Sequence, residues 1–209
     1  MARLTNGING AFHGKLGTVV GATWKGIPYM RSLPSKRTGA ISIHEKNNRH
    51  KFALSQAWLH PLLAFLREGY KGYSPTVEGF LAAKSYLHKH AFEGEGKQVI
   101  INPAKMKVSL GNLPLPKAIA VAHKKPRELE FSWNGADTAG HPNDQVMLLA
   151  YNVEKRIAVF KTAGQFRSTG RDSLTGLPAG NFHVYVAFVA WDRSHQSDSV
   201  YLGTVVIKT

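Results

Sequence analysis

From Pro116 onward the chain is built of short runs in which apolar and polar residues alternate: Ala118 to Ala122, Glu128 to Trp133, Gln145 to Tyr151, Ile157 to Lys161, Ser168 to Leu174, Phe182 to Trp191 and Tyr201 to Ile207. A period of two sends successive side chains to opposite faces of an extended backbone, so each run reads as a strand with one face for a core. Gly, Asn, Asp and Pro separate the runs. About seven strands in roughly 94 residues is the spacing of an all-β sandwich.

Upstream the texture differs. Gly7, Gly10, Gly14, Gly17, Gly21 and Gly26 punctuate residues 1–40, a density that opposes helix and suits turns between short strands. Ser42-Ile43-His44-Glu45 has the form of a capping box, a hydroxyl for the first-turn amides and a glutamate three residues later. Phe52, Leu59, Leu62, Leu63 and Leu66 then recur at helical spacing, which predicts an amphipathic helix to about Tyr70, bent at Pro61. Ser74-Pro75 offers a second start, for a helix carrying Val77, Phe80, Leu81, Lys84 and Leu87 to about His90. Val99 to Ile101 and Met106 to Leu110 read as strands. Two prolines in Asn112-Leu113-Pro114-Leu115-Pro116 favour an extended connection between domains. The expected architecture is an α+β region over residues 1–113, with short Gly-separated strands and a helix pair near 43–70 and 75–90, followed by an all-β sandwich over 114–209.

The 209 residues include 27 Lys and Arg against 13 Asp and Glu, a formal net charge of +14. Cut at Leu115, the first part holds 16 basic and 5 acidic residues and the second 11 and 8, so +11 lies before the cut and +3 after it. Lys15, Lys25, Arg31, Lys36, Arg37, Arg49 and Lys51 stand with Arg3 and Lys46 against a single acid, Glu45, in the first 51 residues. A field of one sign that dense attracts polyanions or an acidic protein surface and repels its own copies unless neutralised. Those first seven cations are the candidate docking residues.

The sequence also narrows the chemistry. Without cysteine there are no disulfides, no thiol catalysis and no cysteine-based zinc site. No apolar run reaches the length of a membrane-spanning helix, so membrane insertion is not expected. The opening MARLTNGINGAFHGK has no apolar h-region and shows no secretory signal, which sets the expected location as cytoplasmic or particle-associated. Gly10-Ala11-Phe12-His13-Gly14-Lys15 has one residue too few between its glycines for a phosphate loop, and Leu16 stands where a hydroxyl is needed. His88-Lys89-His90 would point its rings apart on a helix. Neither G-x-S-x-G nor H-E-x-x-H occurs, and Glu93-Gly94-Glu95, the close acid pair of the N-terminal part, reads as a loop. The expectation is a protein that is not an enzyme, with no catalytic residue, cofactor or metal.

Cations and rings interleave at Trp24-Lys25, Tyr29 and Arg31, residue types that clamp phosphates and stack bases. Taken as one strand, Thr23 to Arg31 puts Trp24, Gly26, Pro28 and Met30 on one parity and Lys25, Ile27, Tyr29 and Arg31 on the other. No RRM, KH, helix-turn-helix or zinc-finger signature accompanies them.

Two resemblances extend this reading. The string Leu174-Thr175-Gly176-Leu177-Pro178-Ala179-Gly180-Asn181-Phe182-His183-Val184-Tyr185-Val186 resembles the turn and following strand of a fibronectin type III or related immunoglobulin-like domain, and Trp133 in Leu129-Glu130-Phe131-Ser132-Trp133 matches that family's tryptophan on the second strand. The resemblance implies an immunoglobulin-like sandwich. His183 holds the place of its corner tyrosine, with Tyr185 as the substitute. The stretch Gly14 to Pro34, of the form GKxGxxxGxxWKGxPYxRSxP, is similar to the opening of a bacterial family of uncharacterised proteins of about this length, often encoded near mobile or phage-like elements, with Arg49-His50-Lys51-Phe52 as its helix start. That family carries over no functional residue, and implies a structural or particle-associated role. The leading expectation is a non-enzymatic structural or assembly protein, a component of a phage-like or other supramolecular particle. Its basic N-terminal surface would dock protein subunits, either its own copies in a homo-oligomer or an acidic partner. The alternative is a nucleic-acid or polyanion-binding module acting through the same basic segment.

Overall fold

The computed structural model describes residues 3–4, 10–36, 38–74 and 77–208. The chain forms two compact units, Met1–Ser42 and Ile43–Thr209.

The first unit is an antiparallel meander of β1 (Arg3–Leu4), β2 (Phe12–Leu16), β3 (Val19–Trp24) and β4 (Ile27–Ser32), hydrogen-bonded in that order. Its hairpin turns are where the glycines are needed. Lys25 and Gly26 link β3 to β4 with φ of 47° and 80°, the two positive values that a type I′ turn requires and that the right-handed twist of a tight hairpin favours. This turn corrects the expectation of one continuous strand from Thr23 to Arg31. The chain reverses at Lys25-Gly26, Trp24 pairs with Ile27, and the ring of Trp24 joins the parity of Ile27, Tyr29 and Arg31.

The second unit opens with α1 (Ile43–Leu59), a 3₁₀ turn over His60–Leu62 and α2 (Leu63–Gly69), the bend falling at Pro61 as the missing amide donor dictates. Then come α3 (Gly79–His90), the short pair β5 (Phe92–Glu93) and β6 (Ile100–Ile101), and the strands β7 (Ala120–Lys125), β8 (Glu128–Ser132), β9 (Gln145–Asn152), β10 (Ile157–Lys161), β11 (Arg171–Thr175), β12 (Gly180–Val189) and β13 (Val200–Ile207). Each of the seven alternating runs contains a strand, with Ser168 and Thr169 in a 3₁₀ turn that precedes β11. They build two antiparallel sheets, ordered β10-β9-β12-β13 and β11-β8-β7.

The sheets face one another across Leu129, Phe131, Trp133 and Leu174 on one side and Val146, Leu148, Phe182, Val184, Val186 and Phe188 on the other. The opposite face of β9 and β12 is buried as well. Met147, Leu149, Tyr151, Tyr185, Ala187 and Val189 pack with Trp58, Leu59, Leu62, Phe65, Leu66 and Leu87 of the helices. The unit is thus an α+β stack of helices, sheet and sheet. Residues 43–113 share a core with the strands, so the compact division falls at Ser42/Ile43 and not in the proline-spaced segment 112–116. A central sheet apolar on both faces requires cover on both, and the helices supply the second.

Two local expectations need correction. Pro75 lies outside the described residues, and α3 begins at Gly79, after an extended Glu78. Gly79 sits so close to α2 that a Cβ there would lie 2.7 Å from the carbonyl oxygen of Leu66. The helix starts where a glycine allows that approach. Met106 to Leu110 is no strand. Its polar groups are satisfied outside any ladder: Val108 N–H donates to Ser199 Oγ, Leu110 N–H to the Gly69 carbonyl, and the Ser109 hydroxyl to the Ser197 carbonyl. The corner bond is also replaced. His183 Nδ1 lies 2.9 Å from the Tyr201 hydroxyl, and Tyr185 Oη donates at 2.7 Å to the carbonyl of Pro103, tying the central sheet to the segment that follows the helices.

Candidate interaction surface

In the meander, residues directly opposed in the register share a face. One row runs Leu16, Val19, Ser32, the next Gly14, Gly21, Met30, and a third Thr23, Pro28. The Phe12 ring lies over this face, since a Cβ on Gly21 would come within 2.6 Å of its Cδ2. None of these residues carries a formal charge, and the His13 imidazole reaches the same face, its ring nitrogens 3.3 and 3.5 Å from Thr23 Oγ1. Leu16 is 63% exposed and Met30 71%, so these two apolar side chains are largely open to solvent. The opposite face has the rows Lys15, Val20, Arg31, then Ala22, Tyr29, then Trp24, Ile27. Here too the large groups are open, with Trp24 55%, Ile27 62% and Tyr29 44% exposed. From Lys25 in the turn, the ammonium sits 5.3 Å from the centroid of the Trp24 ring. Alternation along β2, β3 and β4 thus segregates the chemistry into a neutral apolar face and a face of cations and rings.

The seven candidate docking residues fall into two sets. Lys15 and Arg31 share one row, Lys25 stands at the turn of the same hairpin, and Lys36 follows β4 as an exposed residue. Arg37 lies outside the described residues. Arg49 and Lys51 belong to α1 in the other unit. There Arg49 is held by Glu45 at 2.7 Å, one helical turn away, and the Lys51 ammonium lies 5.7 Å from the Phe92 centroid. The neutral face was not singled out from composition. Its signal was the Lys-Gly pair between two apolar runs, which marks a hairpin and fixes which residues are neighbours.

Polar clusters in the second unit are structural in geometry. Arg167 is fully buried, its Nη1 3.3 Å from Asp144 Oδ2 and its Nη2 donating to the Pro114 carbonyl at 2.5 Å. The Arg167 carbonyl in turn accepts from Trp133 Nε1 at 2.7 Å, so one residue fastens the start of β7's approach, the end of β8 and the segment before β11. Between α1 and α3, the buried Lys84 donates to Gln56 Oε1 at 2.9 Å and lies over the Phe52 ring, while His88 Nε2 is 3.0 Å from Ser55 Oγ. Desolvation lowers the pKa of both Lys84 and His88, and for His88 the charges of Lys84 and Lys51 lower it further. Among the described residues no group of three or more His, Asp or Glu side chains is placed to hold a metal ion, and no helix is long and apolar enough to cross a membrane.

Fold and surface together define an α+β protein with a layered unit and a small sheet that bears exposed large side chains on each face. The chain belongs to a family of unknown function, DUF6266, whose profile it matches over residues 11–203. The match includes the meander from β2 onward and nearly all of the layered unit. Among curated proteins, none matches the chain at a significant level.

Proposed function

We propose that this protein is a non-enzymatic structural subunit that assembles with copies of itself through the neutral face of the meander, in a phage-like or other supramolecular particle. The observation that carries the reading is the exposure of Leu16 and Met30 on a face whose described residues carry no formal charge, in a chain of net charge +14. A sheet of this size needs a covered apolar face to be stable in water. A second copy is suited to that face because no like charges oppose it, whereas the cationic face would repel its own image.

The contact is individually weak. Three strands about 4.8 Å apart and some 17 Å long present roughly 200 Å² per face, far below the about 800 Å² per partner of a stable pair. Pro28 in the edge strand β4 removes a backbone donor and blunts lateral strand addition, which leaves the face as the contact. A contact this weak is realised where copies are held at high local concentration, as they are in an assembly. The layered unit supplies the rigid body. The strand orders β10-β9-β12-β13 and β11-β8-β7 support reading its sheets as an immunoglobulin-like sandwich, with Trp133 buried on the Phe188 ring at 5.3 Å. Sedimentation over a range of concentrations tests the proposal: mass rising with concentration supports it, and a strict monomer up to high concentration contradicts it.

A further inference from the structure

The opposite face of the meander has a chemistry that self-assembly does not use, and we infer that it binds single-stranded nucleic acid. Trp24 on β3 and Tyr29 on β4 are diagonal neighbours on one face, both open, with Ile27 beside them. At that separation, about 7–8 Å between backbones, the two rings form adjacent platforms. Lys15 and Arg31 share the next row, two strands apart, and Lys25 stands at the turn. No acid precedes Glu45 in the sequence, so no carboxylate of the meander itself faces Lys15 and Arg31.

Three kinds of partner can be weighed by what each leaves uncompensated. An acidic protein surface would pair with Lys15 and Arg31 and leave the rings in water. An apolar protein surface would cover Trp24, Tyr29 and Ile27 and would desolvate the two cations without partners, a heavy cost. A polymer with an anionic backbone and flat apolar bases satisfies both sets at once, by stacking on the rings and placing phosphates at the cations. Duplexes hide the base faces, so the platforms select single strands. The inference concerns the face opposite the one proposed for assembly, and either can fail without the other.

The test uses the full chain and a labelled oligodeoxythymidylate followed by fluorescence anisotropy at low ionic strength. Binding is expected, with the logarithm of affinity falling against log salt at a slope of roughly −2, as three neutralised phosphates on a single strand give. Trp24→Ala and Tyr29→Ala are each expected to weaken binding about five- to a hundredfold, the range of one lost base stack. Trp24→Phe keeps a platform and should retain most of the affinity, which separates lost stacking from a meander that no longer folds. Val206→Ala, at an exposed position of β13 in the layered unit, should leave affinity unchanged. The inference is overturned by an absence of binding at low salt, by equal affinity for a duplex of the same length, by an unaltered affinity in Trp24→Ala, or by Trp24→Phe being as weak as Trp24→Ala.

Discussion

Strands β4 and β12 are both rich in apolar residues, and they have opposite fates. Every residue of β4 is exposed, while Val184 to Val189 of β12 are all buried, covered by helices on one side and by the second sheet on the other. The difference lies in what each strand's neighbours supply. Tertiary cover turns the hydrophobicity of β12 into stability, worth about 25 cal/mol per Å² of apolar surface removed from water. In the meander the same kind of residue keeps its surface in solvent, and that stabilisation is available to a partner. The layered unit should therefore respond to mutation through its own stability, and the meander through association.

The largest effects are expected in the layered unit. Arg167→Ala leaves the Asp144 carboxylate buried without its partner and should cost about 3–5 kcal/mol, read by urea denaturation. A change below about 1 kcal/mol would mean the pair is not the fastening it resembles. Trp133→Ala removes a buried ring and the donor to the Arg167 carbonyl, with a comparable expected cost of about 3–5 kcal/mol. An unchanged melting temperature there would overturn the packing described between the sheets. Tyr185→Phe is a finer cut, since only the bond to the Pro103 carbonyl is lost. About 1–2 kcal/mol is expected, and the helices should loosen first, as hydrogen exchange would register.

Acid should weaken the same unit. Burial lowers the pKa of His88 and His183 below the usual 6.5, with the charges of Lys84 and Lys51 adding to the effect at His88. Each then binds fewer protons folded than unfolded once the pH drops below about 6.5, so stability is full above that value and declines as pH falls toward the depressed folded pKa. The melting temperature should fall over that window, and His183→Asn should flatten the fall. A slope identical in the variant would remove His183 from the account. Smallest of all, Leu16→Asp, Met30→Asp and Lys36→Ala should move the stability of the layered unit by no more than about 0.5 kcal/mol, because they lie in the other unit.

Strand positions after Pro116 were legible because alternation is a local signal that burial on one face imposes. The shared core of residues 43–113 with those strands was less so. Its sign is in Val146-Met147-Leu148-Leu149-Ala150 and Val184-Tyr185-Val186-Ala187-Phe188, where apolar residues run without a polar break. A continuous run marks a strand covered on both faces, and the prolines at 114 and 116 drew the boundary to a place where the chain merely passes between layers. Met106 to Leu110 alternated like a strand, yet its amides are met by Ser199 and Gly69, partners that no local pattern announces. In the meander the cations were visible singly, but their grouping depended on one two-residue turn. Trp24 changes face depending on whether Lys25-Gly26 continues the strand or reverses it.

On the proposed reading, the neutral face of the meander joins copies of this chain. The most direct test is the mass of the native protein against concentration, by sedimentation, for the wild type and for Leu16→Asp/Met30→Asp. Association is expected in the wild type and its loss in the double variant, with the melting of the layered unit unchanged. A wild type that stays monomeric throughout, or a double variant that associates as the wild type does, would contradict it.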